Sequence, residues 1–372
     1  VIVVGMTGMD IPRAPFFSRE LKLIISMSYG PGRYDPEYEE RGHDYPLPYV
    51  RWTEKRNIES FLELIADKRI DVERLTTHRF PIAEADRAYQ LISGELREPN
   101  LGVVLNYDPE AEVVRKVSLG AATRVRKSEK SIVLGVIGAG GYVPPMLLPH
   151  FKTEGVEFRS IATASGISAH DVGKRFGFAY AVSSAGEVLD ERAVNLVVIG
   201  TRHDTHAELA RAALERNKHV FVEKPLALDD AQLDSVLQAA ENSSAKLMVG
   251  FNRRFSPLAQ RAKEFFGNRD TPLSILYRVC ASRLPREHWA QNAEEGGGRI
   301  IGEVCHFIDL MQYLTGAAPV YVFAESISAK SSKMVDADSV FITLRFADGS
   351  NGAVAYLAEG DKGLPKERVE IF

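Results

Sequence analysis

Short apolar segments alternate with amphipathic segments through the middle of the chain. Most of the stretches between the apolar segments repeat their apolar residues at helical spacing, as in residues 207–215. Short buried strands that alternate with helices are typical of a doubly wound, mostly parallel sheet. The pattern therefore predicts an α/β domain whose strands lie at residues 132–137, 158–162, 195–199, 219–222 and 246–250.

The order of elements changes beyond residue 251. A helix and a strand are followed by a glycine triplet, a second helix and consecutive strands near residues 320–327, 339–346 and 352–357. This order is typical of an α+β domain with an open sheet. A strand pattern is still present at residues 369–372, so we expect this domain to be incomplete at its C-terminus.

The N-terminal part of the chain has a different pattern. Residues 1–4 are apolar and predict a strand that has already begun at Val1, so we expect a fragment of a longer chain. Residues 21–27 predict a second strand, and an apolar stripe from Ile58 predicts a helix with Asn57 as its N-cap. Many basic residues with little periodicity then predict a partly ordered linker. The predicted N-terminal part, linker, α/β domain and α+β domain span residues 1–107, 108–130, 131–252 and 253–372.

Composition adds limits on partners and location. The 372 residues are 45% hydrophobic and 26% charged, which fits two or three folded domains. A net charge of -4 without a strongly basic block disfavours a nucleic-acid partner and favours a small molecule. The two cysteines, Cys280 and Cys305, are too few for a disulfide framework or a four-ligand zinc site. We expect a cytoplasmic protein with no membrane partner, because no apolar run approaches the roughly 18 residues that span a bilayer.

A glycine-rich loop follows the strand at residues 132–137. In the sequence GAGGYV at residues 138–143, Gly138 and Gly140 are the first two glycines of G-x-G-x-x-G. They permit a tight turn and a close approach of the backbone to a pyrophosphate. Val143 holds the third position, where Gly or Ala is usual. The loop predicts a dinucleotide site, with a structural turn as the alternative.

The second strand bears on which dinucleotide is bound. It ends with Thr163, Ala164 and Ser165, without the acid that binds the ribose 2'-hydroxyl of NAD. Small hydroxyl residues leave room for a 2'-phosphate, which Lys174 or Arg175 would approach. The prediction is therefore NAD or NADP.

The sequence EKP at residues 223–225 ends another predicted strand, at the edge where open parallel sheets bind ligands. A lysine at this place can donate a hydrogen bond to a substrate hydroxyl and stabilise a developing alkoxide. A solvated turn residue is the alternative interpretation of Lys224.

The run from residue 131 to 372 resembles the glucose-fructose oxidoreductase, inositol dehydrogenase and rhizopine-catabolism (Gfo/Idh/MocA) family. The similarity is carried by GAG at residues 138–140, VIGT at 198–201 and, above all, KHVFVEKPL at 218–226. The resemblance implies a Rossmann domain, an open-sheet substrate domain and NAD(P)-dependent chemistry on sugars and cyclitols. It assigns Lys224 to substrate binding and proton relay.

The sequence GGGRIIGEVCHFID at residues 296–309 resembles the second motif of that family, in which three glycines lead into D-x-x-x-H-x-x-D. His306 and Asp309 match, whereas Gly302 replaces the first aspartate. A histidine here would take the hydroxyl proton as hydride leaves the same carbon, since its pKa lies near working pH. A helix histidine bonded to Asp309 is the alternative. Glu303 is a poor replacement for the aspartate because it points about 100° away on a regular helix.

The expected site residues fall into three sets: catalytic residues, substrate contacts and cofactor contacts. For His203, a structural role and a place in the active site are equally consistent with the sequence. Thr205 and Glu208 fit a capping box. No metal site is expected beside Cys305. Arg253 lies in a basic turn that is equally consistent with solvation and with substrate binding. Lys224 and His306 are the expected catalytic residues. The expected substrate contacts are Lys224, Arg253, Gly302, His306 and Asp309. The expected cofactor contacts are Gly138, Ala139, Gly140, Gly141, Tyr142, Thr163, Ser165, Thr201, Arg202, His206, Glu223 and Lys224.

Residues 1–107 resemble the C-terminal tail of a medium-chain, zinc-type alcohol dehydrogenase. The similarity rests on VIVVG at residues 1–5, YGPGR at 29–33 and TTHRFP at 76–81, without the glycine loop or zinc-ligand cysteines of that family. The two resemblances together imply a fused oxidoreductase of polysaccharide or nucleotide-sugar metabolism.

The sequence thus predicts an NAD(P)-dependent oxidoreductase that transfers hydride between the cofactor and a sugar-like or cyclitol alcohol or ketone. We also expect a homo-oligomer formed through the C-terminal open sheet. The alternative is an NAD(P)-binding sensor or scaffold that has lost its chemistry, because Gly302 replaces the family aspartate.

Overall fold

The computed structural model describes residues 1–6, 8–26, 29–110, 114–120, 131–153, 155–327 and 338–372. The chain forms two compact units, Val1–Glu112 and Val113–Phe372. Within the described ranges, no helix has the length and apolar character needed to cross a membrane.

The first unit contains two small pairs of parallel strands. Strand β1 (Ile2–Val3) pairs with β2 (Ile24–Ile25), and β3 (Thr76–Pro81) pairs with β4 (Gly102–Asn106). The helices of this unit are α1 (Arg13–Ser18), α2 (Pro36–Glu39), α3 (Glu54–Ala66) and α4 (Ala85–Ile92).

The predicted start of α3 is wrong. Thr53 is its N-cap, and Asn57 lies within the first turns of the helix. The side-chain amide of Asn57 instead donates a hydrogen bond to the carbonyl oxygen of Tyr29 at 2.8 Å. A side chain that favours caps thus serves here to fasten a loop to the helix.

The second unit begins with a seven-stranded sheet in the order β11-β10-β9-β6-β7-β8-β5. All neighbours are parallel except the edge strand β5, which runs antiparallel to β8. Its strands are β5 (Lys116–Ser118), β6 (Ile132–Ile137), β7 (Val156–Ala162), β8 (Tyr180–Val182), β9 (Leu196–Ile199), β10 (His219–Val222) and β11 (Leu247–Val249). The connecting helices are α5 (Leu148–Phe151), α6 (Gly166–Phe176), α7 (Ala185–Asp190), α8 (His206–Glu215) and α9 (Asp230–Glu241). This arrangement confirms the predicted doubly wound Rossmann sheet.

The range predicted as a linker, residues 108–130, is not wholly irregular. Strand β5 lies within it and extends the Rossmann sheet by pairing Val117 with Ala181. The sequence did not predict β5, because this strand has only three residues, too few to establish an alternation of apolar and polar positions. Residues 111–113 and 121–130 of that range lie outside the described residues.

The central sheet is buried on both faces, because its strands alternate the direction of their side chains. Ile137, Val197 and Ile199 pack on one face with the small residues of α8. Val136 and Val198 pack on the other face with residues of α6. Consecutive apolar residues in these short strands therefore serve two separate cores.

A five-stranded open sheet follows, in the order β13-β14-β15-β12-β16. Helices α10 (Pro257–Phe265) and α11 (Cys305–Thr315) accompany it. Its inner face, with Tyr277, Val354 and Tyr356, packs on Phe307 and Met311 of α11. The strands are β12 (Ser274–Cys280), β13 (Pro319–Ser326), β14 (Val340–Phe346), β15 (Asn351–Leu357) and β16 (Glu367–Ile371). The predicted open-sheet domain is thus confirmed.

Candidate active site

The carboxyl ends of the Rossmann strands meet at one edge of the sheet. The register pairs Ile137 with both Ala162 and Ile199, and it pairs Ile199 with Val222. The residues that follow these strand ends therefore stand in a row, at the edge where open α/β sheets bind ligands. The row contains Gly138, Thr163, Gly200 and Glu223.

A cavity of about 420 Å³ opens beside this row. Its volume lies within the usual range for small-molecule sites. Residues of the Rossmann sheet, of the turn after it and of the open-sheet domain all contribute to its wall. The lining residues are Tyr142, Val143, Gly200, Thr201, His203, His206, Glu223, Lys224, Asn252, Arg253, Trp289, Glu303, His306 and Lys366.

The glycine loop fits a dinucleotide pyrophosphate. Gly138 has φ +86°, and a Cβ at this position would lie 2.6 Å from the carbonyl carbon and oxygen of Gly200. A Cβ at Gly140 or Gly141 would meet nothing within 4 Å. Gly138 thus lets the turn after β6 pack closely against the loop after β9. The other two glycines leave open space where phosphate oxygens can approach backbone amides.

Lys224 joins the two predicted motifs. Its ammonium donates a hydrogen bond of 2.7 Å to the carbonyl oxygen of Gly302, which lies 78 residues later in the chain. The lysine stands at the end of β10, and Gly302 lies in the helical turn that precedes α11. The bond holds the ammonium at the cavity with two donor hydrogens left for a substrate oxygen.

His306 lines the same cavity and is 6% exposed. Within the described part of the chain its Nδ1 is buried without a hydrogen-bond partner. Burial, then the positive charges of Arg253, Lys224 and Lys366, lowers the pKa of His306 to about 3. This pKa lies below the value near neutrality that the sequence led us to expect. The imidazole is neutral at pH 7, which is the form that accepts a proton.

Gly302 is not a gap in the wall, because His203 fills the space beside it. A Cβ at residue 302 would lie 3.0 Å from Cε1 and 3.4 Å from Nδ1 of His203. The ring of His203 also packs edge-on against Trp289, with 4.8 Å between the ring centroids. A carboxyl group at residue 302 would require this ring to move.

His203 has a defined proton arrangement. Its Nδ1 lies 2.8 Å from the carbonyl oxygen of Gly296. Because a carbonyl can only accept, the proton is on Nδ1 and Nε2 keeps its lone pair. Burial is the main cause that lowers the pKa of His203 to about 4. His203 lines the cavity. The sequence had left open whether this histidine has a structural role or lies in the site.

The turn before α11 is irregular. Residues Ile300–Val304 form a π-helix, so the spacing of a regular helix does not apply there. Glu303 consequently lines the cavity, contrary to the angular argument from the sequence. Its carboxylate is 3.2 Å from the guanidinium of Arg299, which is buried.

His206 fastens the loop after β9 to the turn after β10. One ring nitrogen, Nδ1, is 2.7 Å from the carbonyl oxygen of Pro225, and Nε2 is 3.2 Å from that of Thr201. Burial lowers the pKa of His206. The predicted capping box is wrong, since Thr205 makes no side-chain bond to the first turn of α8 and bonds Thr201 and Arg202 instead.

Two basic residues after β11 are held by acids. Arg253 lines the cavity and donates two hydrogen bonds, of 3.0 and 2.6 Å, to the carboxylate of Glu367. Arg254 binds both carboxylate oxygens of Asp309. The structure thus pairs the buried carboxylate of Asp309 with Arg254, away from the cavity lining. The bond between His306 and Asp309, which was the alternative interpretation, is not among the hydrogen bonds of the described residues.

Several predicted cofactor residues come together and others do not. Thr163 bonds the carbonyl oxygen of Ser165, and Arg202 pairs with Glu295. Thr163, Ser165 and Arg202 are not part of the cavity lining. Lys174 and Arg175 lie in the last turn of α6, at the opposite end of that helix from the strand end, so they do not approach a 2'-phosphate. The predicted residues that line the cavity are Tyr142, Thr201, His206, Glu223, Lys224, Arg253 and His306. Those outside its lining are Gly138, Ala139, Gly140, Gly141, Thr163, Ser165, Arg202, Gly302 and Asp309.

The sequence did not reveal Trp289 and Lys366 as wall residues. Trp289 lies between β12 and the glycine triplet, and Lys366 directly precedes β16. Neither belongs to a recognisable motif. Only their residue types, a tryptophan and a lysine in irregular segments, could have suggested a place in the site.

Comparison with known proteins agrees with this geometry. Residues 132–251 match the oxidoreductase family with an NAD-binding Rossmann fold, and residues 271–372 match the Gfo/Idh/MocA C-terminal domain. An uncharacterized oxidoreductase from Bacillus subtilis is 26% identical over 252 residues, which are 65% of this chain and 72% of that protein. Myo-inositol 2-dehydrogenase from Thermotoga maritima is 28% identical over 202 residues, which are 54% of this chain and 60% of that protein.

The structure of levoglucosan dehydrogenase in complex with NADH and levoglucosan is 27% identical to this chain. Its TM-score is 0.57, and the match covers 65% of this chain and 70% of that one. The predicted nucleotide-binding domain is thereby confirmed as an NAD-binding Rossmann domain.

Proposed function

Since residues 132–251 and 271–372 show that the chain belongs to the Gfo/Idh/MocA oxidoreductase family, we propose that it transfers hydride between NAD(P) and a sugar-like or cyclitol alcohol or ketone. The relatives named above act on an inositol and on an anhydrosugar. The inositol and the anhydrosugar are both polyols with several hydroxyl groups. A cavity of this size with several polar groups in its wall suits such a substrate.

The cofactor would be held by the glycine loop and the strand ends. Gly138, Gly140 and Gly141 would take the pyrophosphate, and Thr201 and Tyr142 would line its path into the cavity. A nicotinamide bound there would supply the hydride acceptor for the alcohol and the hydride donor for the ketone. The strand end at Thr163 and Ser165 carries neither an acid nor a base, so NAD and NADP both stay in the proposal.

Two residues would act on the substrate oxygen. The ammonium of Lys224 donates a hydrogen bond to the reacting hydroxyl and stabilises the negative charge that develops on it. The neutral imidazole of His306 accepts the hydroxyl proton as the carbon–hydrogen bond breaks. In the reverse direction the imidazolium returns that proton to the ketone oxygen.

One observation carries the proposal: the ammonium of Lys224 is fixed on the carbonyl oxygen of Gly302, while His306 lines the same cavity. This places a hydrogen-bond donor and a proton acceptor around one space at the ligand-binding edge of an NAD-binding sheet. Proton transfer and charge stabilisation at one oxygen need this pair of groups.

Replacement of Lys224 tests the proposal. We expect Lys224→Ala to lower turnover by at least about a hundredfold, with dinucleotide binding retained. Absorbance at 340 nm across a panel of sugars and cyclitols measures turnover, and calorimetry measures NADH and NADPH binding. Lys362→Ala, a change at an exposed lysine outside the cavity, is the control. Unchanged turnover in Lys224→Ala contradicts the assignment.

A second function is a dinucleotide-binding sensor or scaffold without catalysis. Gly302 favours it, because the family aspartate that would adjoin His306 is missing. Dinucleotide binding without absorbance change across the whole panel supports this alternative, and robust turnover eliminates it.

We further propose that residues 1–107 are the C-terminal part of a medium-chain alcohol dehydrogenase-like unit. The parallel pairing of β1 with β2 around α1, as in a Rossmann crossover, supports this. Residues 108–130 would then link it to an NAD(P)-binding domain at 131–252 and a substrate domain at 253–372. Such a fusion would hold two enzymes together and allow a product to pass from one to the other. Undiminished coupled flux through separately expressed halves counts against that role.

The open sheet is the proposed surface for homo-oligomers. Val320, Tyr321, Val322 and Phe323 of β13 are 55–61% exposed, and Phe341 of β14 is 57% exposed. A patch of this kind marks an interaction surface. Phe341→Arg should lower the oligomer mass in analytical ultracentrifugation, whereas Leu258→Arg on α10 should not. A cytoplasmic location likewise stays a prediction.

A further inference from the structure

The charged groups around the candidate active site are unequally paired. Three basic side chains line the cavity: Lys224, Arg253 and Lys366. Arg253 is neutralised by Glu367 through two hydrogen bonds. The ion pairs of the described residues include neither Lys224 nor Lys366. Two ammonium groups therefore face the cavity without a carboxylate in contact.

The acids of the cavity do not restore the balance. Glu303 is engaged by Arg299 at 3.2 Å. Glu223 is the acid nearest in sequence to Lys224, but burial raises its pKa, which favours the uncharged carboxyl. Even with Glu223 fully ionised and set against Lys224, the charge of Lys366 remains. The wall is thus positive by at least one charge.

This excess of positive charge acts on the residue proposed to accept the proton. The charged groups that perturb His306 are Arg253, Lys224 and Lys366, all of them cations. Each would oppose the imidazolium that forms when His306 takes up a proton. A negative charge on the substrate would offset this repulsion while the imidazolium forms.

We infer that the substrate is a sugar-like alcohol or ketone that carries an anionic group, a carboxylate or a phosphate, which binds the ammonium of Lys366. This inference rests on the proposed function and names its substrate class. The anionic group lies on a different carbon from the reacting hydroxyl, which Lys224 and His306 hold. Lys366 is exposed and directly precedes β16, so its ammonium can reach a group that enters from solvent.

Equilibrium binding separates charge recognition from chemistry. The probes are D-glucose, D-glucuronate and D-glucose 6-phosphate, with UDP-glucose and UDP-glucuronate as a second matched pair. Each is titrated calorimetrically into the full chain saturated with NADH. We expect the acidic member of at least one pair to bind about fivefold to tenfold more tightly than its neutral partner, since one ammonium contacts the added charge. Preference for glucuronate over glucose 6-phosphate, or the reverse, identifies the anion.

Two substitutions assign the preference to Lys366. Lys366→Gln should remove the advantage of the acidic sugar, so that the acidic and neutral members of a pair bind with similar affinity. Lys366→Glu should reverse the preference. Lys362→Gln, four residues earlier and outside the cavity lining, is the control and should change neither affinity. All of these positions are exposed, so folding should be retained.

The inference is overturned if neutral sugars bind as tightly as their acidic partners, if none of the acidic probes binds, or if Lys366→Gln keeps the preference. None of these results touches the proposed oxidoreductase function, which is judged separately from turnover at 340 nm. Turnover of neutral sugars with no gain from an acidic group leaves that function standing and removes only the anionic substrate.

Discussion

The glycine loop allows folding to be separated from cofactor binding by two neighbouring substitutions. Gly138→Ala places a Cβ 2.6 Å from the carbonyl carbon and oxygen of Gly200 and 2.7 Å from the amide nitrogen of Thr201. These neighbours are backbone atoms of the loop after β9, so the main chain itself must move. Gly140→Ala places its Cβ in open space.

The magnitudes follow from this difference. At Gly138, φ is +86°, and a residue with a Cβ in the left-handed region costs about 1–2 kcal/mol. The clash with the backbone adds a cost typical of overpacking, about 1–3 kcal/mol. Gly138→Ala should therefore lower the free energy of unfolding by about 2–5 kcal/mol. Gly140→Ala has neither cost and should be neutral, or stabilising by up to about 1 kcal/mol, because it restricts the unfolded chain.

Urea unfolding measures the first effect. The chain has two tryptophans, and a Trp52→Phe background leaves Trp289 beside the cavity as the remaining fluorescent reporter. Calorimetry with NADH measures the second effect. Gly140→Ala should weaken NADH binding at least about tenfold, because its methyl group enters the space of the pyrophosphate.

Each variant can refute one part of this reasoning. A Gly138→Ala protein as stable as its parent shows that the loop after β6 does not pack against Gly200 as the structure has it. A Gly140→Ala protein that is stable and binds NADH unchanged removes the open face of the loop from the cofactor site. Gly141→Ala, also in open space, gauges how far that face extends.

Three further predictions concern the residues around His306. Asp309→Asn should lower the free energy of unfolding by about 2–4 kcal/mol in urea, because it leaves Arg254 without its carboxylate, and sugar KM should change little in steady-state kinetics. The pKa values of about 3 for His306 and about 4 for His203 lie below the unfolded value near 6.5. The free energy of unfolding should therefore be highest above pH 6.5 and lower by about 2 kcal/mol per histidine at pH 5. Urea unfolding at a series of pH values measures this decrease, which should be smaller in His203→Asn. Gly302→Asp alone should destabilise the protein in the same assay, and Gly302→Asp combined with His203→Asn should recover most of the loss.

Much of the fold could be predicted because its strands are short, apolar and separated by helical periodicity. Strands β6 and β10 have the predicted bounds, Ile132–Ile137 and His219–Val222. Parallel strands in register bring their carboxyl ends together, so motifs distant in sequence meet in space. The expectation that Lys224 and His306 would share a site came from the family resemblance, because His306 lies on α11, outside the Rossmann sheet.

Pairing between side chains was harder to predict than their approach to one region. Asp309 carries a motif position, yet its carboxylate binds Arg254 of the turn after β11. The sequence contains both residues, but a periodic pattern does not show which acidic side chain will form an ion pair with a given basic one. Trp289 and Lys366 were missed for a related reason, because irregular segments have no period that fixes the direction of a side chain.

The pair formed by Gly302 and His203 shows what a single motif position cannot reveal. From the sequence, Gly302 is the loss of an aspartate and therefore argues for lost chemistry. In the structure the space beside Gly302 is occupied, since the ring of His203 lies 3.0 Å from the Cβ position that an aspartate would need. A glycine at 302 and an imidazole at 203 are thus sterically linked, and neither is an isolated deviation. The absence of the aspartate consequently carries little weight against catalysis until the residue in its place has been tested.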